Sequence, residues 1–247
     1  MGRQTSPVQL TDGDLKSPIY VVGADVTRGK WVAVVLEDGR FDRAFLAPTV
    51  DDIHEQVPEA KVIAVDIPIG LSGGAGDWPR ACDLAAREFV GPRRNSVFAT
   101  PPRPVVDAAS YEQANASHRS ITGKGLSKQT WALRAKILEV ENFMSRQPDT
   151  VVVEVHPEVS FCALNGGPLK HAKRTWNGET LRRRLLADVG IALLDDLPDE
   201  VSKIPHDDIL DAAVAAWGAR RFAAGEAEAL GEPSLERDPR SGGLIWY

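Results

Sequence analysis

The sequence predicts a mixed α/β domain, a single sheet of five strands flanked by helices. Three observations predict it. Short apolar runs of buried-strand type recur at 20–25, 31–37, 61–66 and 150–155. The dipeptide Asp38-Gly39 separates the second run from a third strand over 40–47, a strong hairpin signal. Two long amphipathic helices, 128–145 and 206–224, carry apolar stripes at helical spacing.

The elements follow in order. Residues 1–17 are rich in Ser, Thr, Asp and Gly and read as a disordered leader. Tyr20 to Asp25 is the first strand, 27–30 a turn, and Trp31 to Glu37 the second strand. Pro48-Thr49 stops the third strand, and Thr49 is a fair N-cap for a short helix over 51–57. The continuous apolar run before Asp66 predicts a fourth strand buried on both faces. Gly- and Pro-rich sequence then predicts a loop over 68–76, a helix over 80–89 and an ordered loop over 91–104. A short helix over 111–118 and the long helix 128–145, with Ser127 as its cap, lead to the fifth strand at 150–155. Helices over 157–164 and 178–188, a polar loop over 195–204 and the helix 206–224 complete the chain before a tail from Gly231. The expectation is one domain over 18–230, with a helical insertion at 67–149, and a C-terminal tail at 231–247. Three meandering strands followed by crossover connections give a mixed sheet. That is the RNase H-like order.

Composition bounds the function. The 247 residues are 43% hydrophobic and 26% charged, ordinary values for a globular protein. No apolar run approaches the roughly 20 residues of a membrane helix. The polar N-terminus lacks an apolar signal core, so a cytoplasmic protein without a membrane partner is expected. Cys82 and Cys162 lack CxxC spacing and are expected as reduced thiols. The net charge of -6 argues against a broad electropositive nucleic-acid surface. Yet nine basic residues face three acids between Arg87 and Lys136. That excess suits a local anion site, or a solvated surface.

The acids are the main candidates for chemistry. Asp25 and Asp66 each end an apolar run, and Glu154 follows three valines. In open α/β sheets, ligands bind outside the carboxyl ends of strands. Asp25 also suits an Asx turn. Glu154 and His156 share a face of an alternating strand. His156 is expected to support the site rather than ligate a hard cation, and Glu158 suits the first turn of the next helix. Asp207 is a good N-cap and Asp208 a good first-turn acid, but neither role explains Asp211 one turn on. Such carboxylates at strand ends and a helix start are how proteins hold Mg²⁺ or Mn²⁺ for phosphate-ester chemistry.

Arg80, Asp83 and Arg87 share a helix face, as a surface ion-pair ladder or as a phosphate clamp. Arg94 and Lys173 are further candidate phosphate contacts. The sequence has no P-loop, no dinucleotide fingerprint and no GxSxG elbow.

As a set, certain motifs resemble a family labelled domain of unknown function 429, described as predicted RNase H-like nucleases. They are Gly23-Ala24-Asp25, Asp66-Ile67-Pro68-Ile69-Gly70-Leu71, Arg80-Ala81-Cys82-Asp83, Ser96-Val97-Phe98, Glu154-Val155-His156-Pro157-Glu158 and Asp207-Asp208-Ile209-Leu210-Asp211-Ala212. The resemblance covers about 21–221. It implies two divalent ions held by Asp25, Asp66 and Asp208 or Asp211, in a nuclease acting on nucleic acid or another phosphate-bearing substrate. Glu154 has no fixed counterpart in that pattern. A phosphotransferase or small-molecule phosphohydrolase on the same scaffold, and a non-catalytic binding module, are the alternatives.

Overall fold

The structure, a computed structural model, describes residues 18–146, 150–193, 197–231 and 243–247. The expected leader, 1–17, lies outside the described residues. Strands β1 (Tyr20–Thr27), β2 (Lys30–Glu37) and β3 (Arg40–Ala47) form an antiparallel meander. Both hairpins have two-residue turns, Arg28-Gly29 and Asp38-Gly39, in which all four residues have positive φ. That is the backbone twist that suits right-handed strands. Helix α1 (Val50–Gln56) begins at Thr49, whose hydroxyl accepts from the Asp52 N–H while Asp52 accepts from the Thr49 N–H.

Strand β4 (Val62–Val65) returns beside β1 in parallel, and β5 (Val151–Glu154) lies parallel to β4. The sheet order is β3-β2-β1-β4-β5, a mixed five-stranded sheet flanked by helices. Between β4 and β5 run α2 (Ala81–Phe89), α3 (Arg103–Val106), α4 (Tyr111–Thr122) and α5 (Lys128–Arg146). The region 91–104, expected as loop, holds a 3₁₀ turn at Gly91–Ser96 and the start of α3. Pro at the first positions of both pre-sets a helical φ.

After β5 come α6 (Pro157–Leu164), α7 (Trp176–Asp188), the single turn α8 (Asp199–Ser202) and α9 (His206–Ala224). The expected polar loop 195–204 thus contains a helical turn, anchored by the buried Val201. Residues 195 and 196 lie outside the described residues. The N-cap of α9 is Pro205, not Asp207, so both Asp207 and Asp208 sit inside its first turn. At the other end, β6 (Ala229–Leu230) pairs with β7 (Ile245–Trp246), and Trp246 bridges to Val155. The last residues, expected within a tail, pack on the core: Ile245 is buried and Tyr247 stacks on Phe89, with 4.9 Å between ring centroids.

Each face of the sheet has its own core. One joins Val21, Val34, Ala64 and Val153 to α9, α6 and α7. The other joins Val22, Val35, Ile63 and Val152 to α1 and to Ile137, Val140 and Phe143 of α5. Side chains alternate across a strand, so odd and even positions of β1 belong to different cores. No helix among the described residues is long and apolar enough to cross a membrane.

Candidate functional site

Register decides which acids meet. Val22 pairs with Ile63 and Ala24 with Val65, and the Asp66 N–H extends this ladder to the Ala24 carbonyl. Asp25 and Asp66 therefore follow as neighbours. They share parity with Val21 and Ala64, which places both on the α9 face of the sheet. Gly23 lies on that same face. A Cβ there would stand 2.0 Å from the Ala216 nitrogen and 2.2 Å from the Ala212 carbonyl oxygen. Only glycine lets α9 approach β1 this closely, and the approach sets Asp208 and Asp211 beside the carboxyl end of β1.

The acids are short of positive charge. Burial lifts the Asp25 carboxyl well above its ordinary value, and Asp66, Asp211 and Asp208 push it the same way. Burial raises Asp66 to about 7 and Asp211 to about 6, against the pull of Lys173. Burial also raises Asp208. Asp207 behaves differently: its burial is outweighed by Arg174 and Lys173, which hold it below the usual range.

Lys173 supplies the central positive charge. Its ammonium donates to Asp211 Oδ2 at 2.5 Å and lies 3.3 Å from Asp207 Oδ2. Burial works against the ammonium, but these acids keep it protonated. Lys173 sits in the loop 165–175 between α6 and α7, whose backbone is pinned at several points. Arg93 donates to the Leu169 and Lys170 carbonyls, and Arg182 to the His171 carbonyl. The Ala172 carbonyl lies where a Cβ on Gly178 would be, at 1.9 Å. Arg182 is held in turn by Glu158, at 2.7 Å. Glu158 thus belongs to the support of the Lys173 loop, besides lying in the first turn of α6. Among the described residues, no three His, Cys, Asp or Glu side chains stand in metal-coordinating geometry.

Two expectations are corrected. Val65 pairs with Glu154, so Glu154 has the parity of Val152, opposite to that of Asp66 in the neighbouring strand. It is buried on Arg80, with bonds of 2.7 and 2.8 Å, and accepts from the Ile69 N–H. Arg80 in turn is buried, not a phosphate clamp. Its donors are spent on Glu154, Asp83 and the Ile69 and Gly70 carbonyls. Burial opposes the charge on Arg80, but Glu154 and Asp83 outweigh it and raise its pKa well above the ordinary guanidinium value. Asp83 also accepts from the Thr100 N–H. This knot ties the loop after Asp66 to α2 and β5, and so shapes one wall of the acidic site.

The remaining candidates are spread out. Arg87 donates to the Val97 carbonyl from a half-buried position, and Arg94 is exposed on the 3₁₀ turn. His156 has a buried Nδ1 without a partner, and burial holds its imidazole below the ordinary value against the pull of Asp211. A cavity of about 20 Å³, room for a single water, touches both His156 and Asp66. Cys82 and Cys162 are buried free thiols.

Sequence reasoning missed Thr27 and Arg182, and took Arg174 with Lys173 for a phosphate contact rather than the partner of Asp207. Thr27 shares the face of Asp25 two residues earlier, and its buried hydroxyl lies against the Asp208 carboxylate. The alternation from Asp25 could have found it. Arg182 and Arg174 carry no local signal, because their partners are 24 and 33 residues away.

Acids from two parallel strand ends and a crossing helix thus gather on one face of a mixed sheet. A family model described as "Protein of unknown function (DUF429)" matches residues 23–236, and the chain belongs to this family. No curated protein and no solved structure matches it.

Proposed function

We propose that the protein is a divalent-metal-dependent nuclease of RNase H-like type, hydrolysing phosphodiesters. The observation that carries this reading is the charge deficit of the pocket. Asp25, Asp66 and Asp211 come from β1, the residue after β4, and α9, lie close enough to raise one another's pKa, and are all held above their ordinary values. Carboxylates in that state, two of them buried and Asp66 half-buried, call for a cation. The donor set is carboxylate oxygen, which suits a hard ion, and the buried Thr27 hydroxyl lies beside Asp208. Asp25, Asp66, Asp208 and Asp211 would hold Mg²⁺ or Mn²⁺, which when bound activates water and offsets charge on the leaving oxygen. The order of antiparallel meander followed by two parallel strands supports the RNase H-like assignment.

Around the pocket, the chain's own groups orient and exclude. The Arg80–Glu154–Asp83 knot fixes the wall behind Asp66. Arg94 and Arg87 lie beyond that wall, and Lys173 and Arg174 stand at the rim as phosphate contacts. Labelled single-stranded, duplex, hybrid and junction substrates, titrated with Mn²⁺, test the reading. Cleavage should require the metal and be lost in Asp66→Asn and Asp211→Asn. Metal-independent cleavage, or equal cleavage by those variants, would overturn it.

A second reading is a phosphotransferase or phosphohydrolase of small phosphate esters. The commitment of Arg80 to internal pairs, together with the net charge of -6, favours a compact substrate over an extended polyanion. Turnover of nucleotides or sugar phosphates, with none of nucleic acid, would select it. Absence of Mg²⁺ and Mn²⁺ binding would select a non-catalytic binding module.

A further inference from the structure

We infer that the site takes a single-stranded, unstacked nucleic-acid segment, whose bases stack on Phe98 and Trp176 to either side of the acids. The inference deepens the nuclease reading above and rests on its nucleic-acid substrate.

The first observation is exposure. Among the described residues, Phe98 and Trp176 are the exposed large aromatics, at 41% and 81%. Neither belongs to a core. The other five tryptophans of the chain each pack against a ring or a cation. Among the described residues, no such contact holds Phe98 or Trp176. Two large rings left in water forgo the burial that usually retains an aromatic side chain.

The second is place. Phe98 lines the small cavity that also touches Asp66 and His156. Trp176 opens α7, three residues beyond Lys173, which holds Asp211, and two beyond Arg174, which holds Asp207. Three residues of chain span at most about 10 Å. A contact of 3.4 Å between Glu179 and His206 ties the same first turn of α7 to the start of α9. The two exposed rings thus flank the acids from two separate segments.

The third is rigidity. Arg93 fastens the 3₁₀ turn before Phe98 to the Leu169 and Lys170 carbonyls, and Arg87 holds the Val97 carbonyl at 2.8 Å. On the other side, the Thr175 hydroxyl caps α7 by accepting from the Gly178 N–H. Both rings stand on fixed backbone, so stacking on them costs little ordering.

The fourth is charge. The exposed cations of these two segments are Arg94, Lys170 and Arg174, in a chain with a net charge of -6. So few cations grip a phosphate backbone weakly, and the rings must supply much of the affinity. A duplex keeps its base faces inside the stack, whereas an unstacked strand offers them.

Fluorescence anisotropy of labelled oligonucleotides in chelating buffer, where no cleavage intervenes, tests the inference. Single strand should bind tighter than duplex by about tenfold or more. Trp176→Ala and Phe98→Ala should each weaken single-strand binding by about tenfold, with melting temperatures near wild type. Trp176→Phe should keep the affinity but lose the quenching of tryptophan emission that the strand causes in wild type. The logarithm of the association constant should fall against the logarithm of salt concentration with a slope of about -2, as three cations on a single strand require. Single-strand binding unaltered in both alanine variants, or duplex bound as tightly, would overturn the stacking and leave the nuclease reading standing. So would self-association in sedimentation that Trp176→Ala abolishes while strand binding is unchanged. Ring-dependent strand binding with no cleavage on addition of Mn²⁺ would overturn the nuclease reading and leave the stacking standing. Failure of wild type to bind any nucleic acid would overturn both.

Discussion

Replacing Arg80 with Met separates a structural role from a catalytic one. The substitution keeps the length of the side chain and removes its charge. Glu154 and Asp83 are then left buried without a cation, at 5% and 2% exposure. Glu154 keeps the Ile69 N–H and Asp83 keeps the Thr100 N–H. Removing one partner of a buried ion pair costs about 3–5 kcal/mol. The Ile69 and Gly70 carbonyls also lose a donor, which adds about 1 kcal/mol. A urea midpoint lower by roughly 1–2 M is expected from such a loss. The deficit should shrink at low pH, because the orphaned acids gain stability in the fold by taking up protons. Glu154→Gln, with Arg80 still on Asp83, should cost less and leave Mn²⁺ affinity unchanged. An unfolding free energy for Arg80→Met within about 1 kcal/mol of wild type would refute the reasoning. So would loss of Mn²⁺ binding in a fully stable Glu154→Gln.

Two more outcomes follow from the same geometry. In Gly23→Ala the new Cβ meets the α9 backbone at Ala212, Ala215 and Ala216, so α9 must retreat by roughly 1.4 Å to reach ordinary contact. Destabilisation of about 3 kcal/mol, with weakened Mn²⁺ binding, is expected in thermal denaturation and titration; an unchanged melting temperature would contradict the close approach. The acids also set a pH dependence. Asp66 binds its proton up to about pH 7 in the fold, against an ordinary value of 3.8 in the unfolded chain. The folded state thus holds more protons between these values, and its stability falls as pH rises through that window. Melting temperatures at pH 5 and pH 8 should differ less in Asp66→Asn than in wild type, and added Mn²⁺ should reduce the wild-type loss.

Much of this architecture is legible in residue order. The runs ending at Asp25 and Asp66, the Asp38-Gly39 turn and the Thr49 cap each carry a local cause, and each element forms where that cause operates. Glu154 shows where local reading stops. It ends an apolar run as Asp25 and Asp66 do, but strand register turns it to the opposite face. One residue of offset is enough, because side chains alternate with period two. Arg80 illustrates a second limit. Its charge pattern with Asp83 and Arg87 is that of an exposed helix, and its burial depends on a carboxylate 74 residues away. Lys173 was legible as a basic group near the site, but not as the partner of Asp211. That pairing requires the loop 165–175 to be fixed by Arg93, Arg182 and Glu158, none of which signals the others locally.

The most direct test of the account is calorimetric titration of Mn²⁺ into wild type, Asp66→Asn and Asp211→Asn at pH 7.5. The account predicts saturable binding to the wild-type protein, with proton release, and strongly weakened binding to both variants. Mn²⁺ binding that is absent from wild type, or unaltered by either substitution, would contradict it.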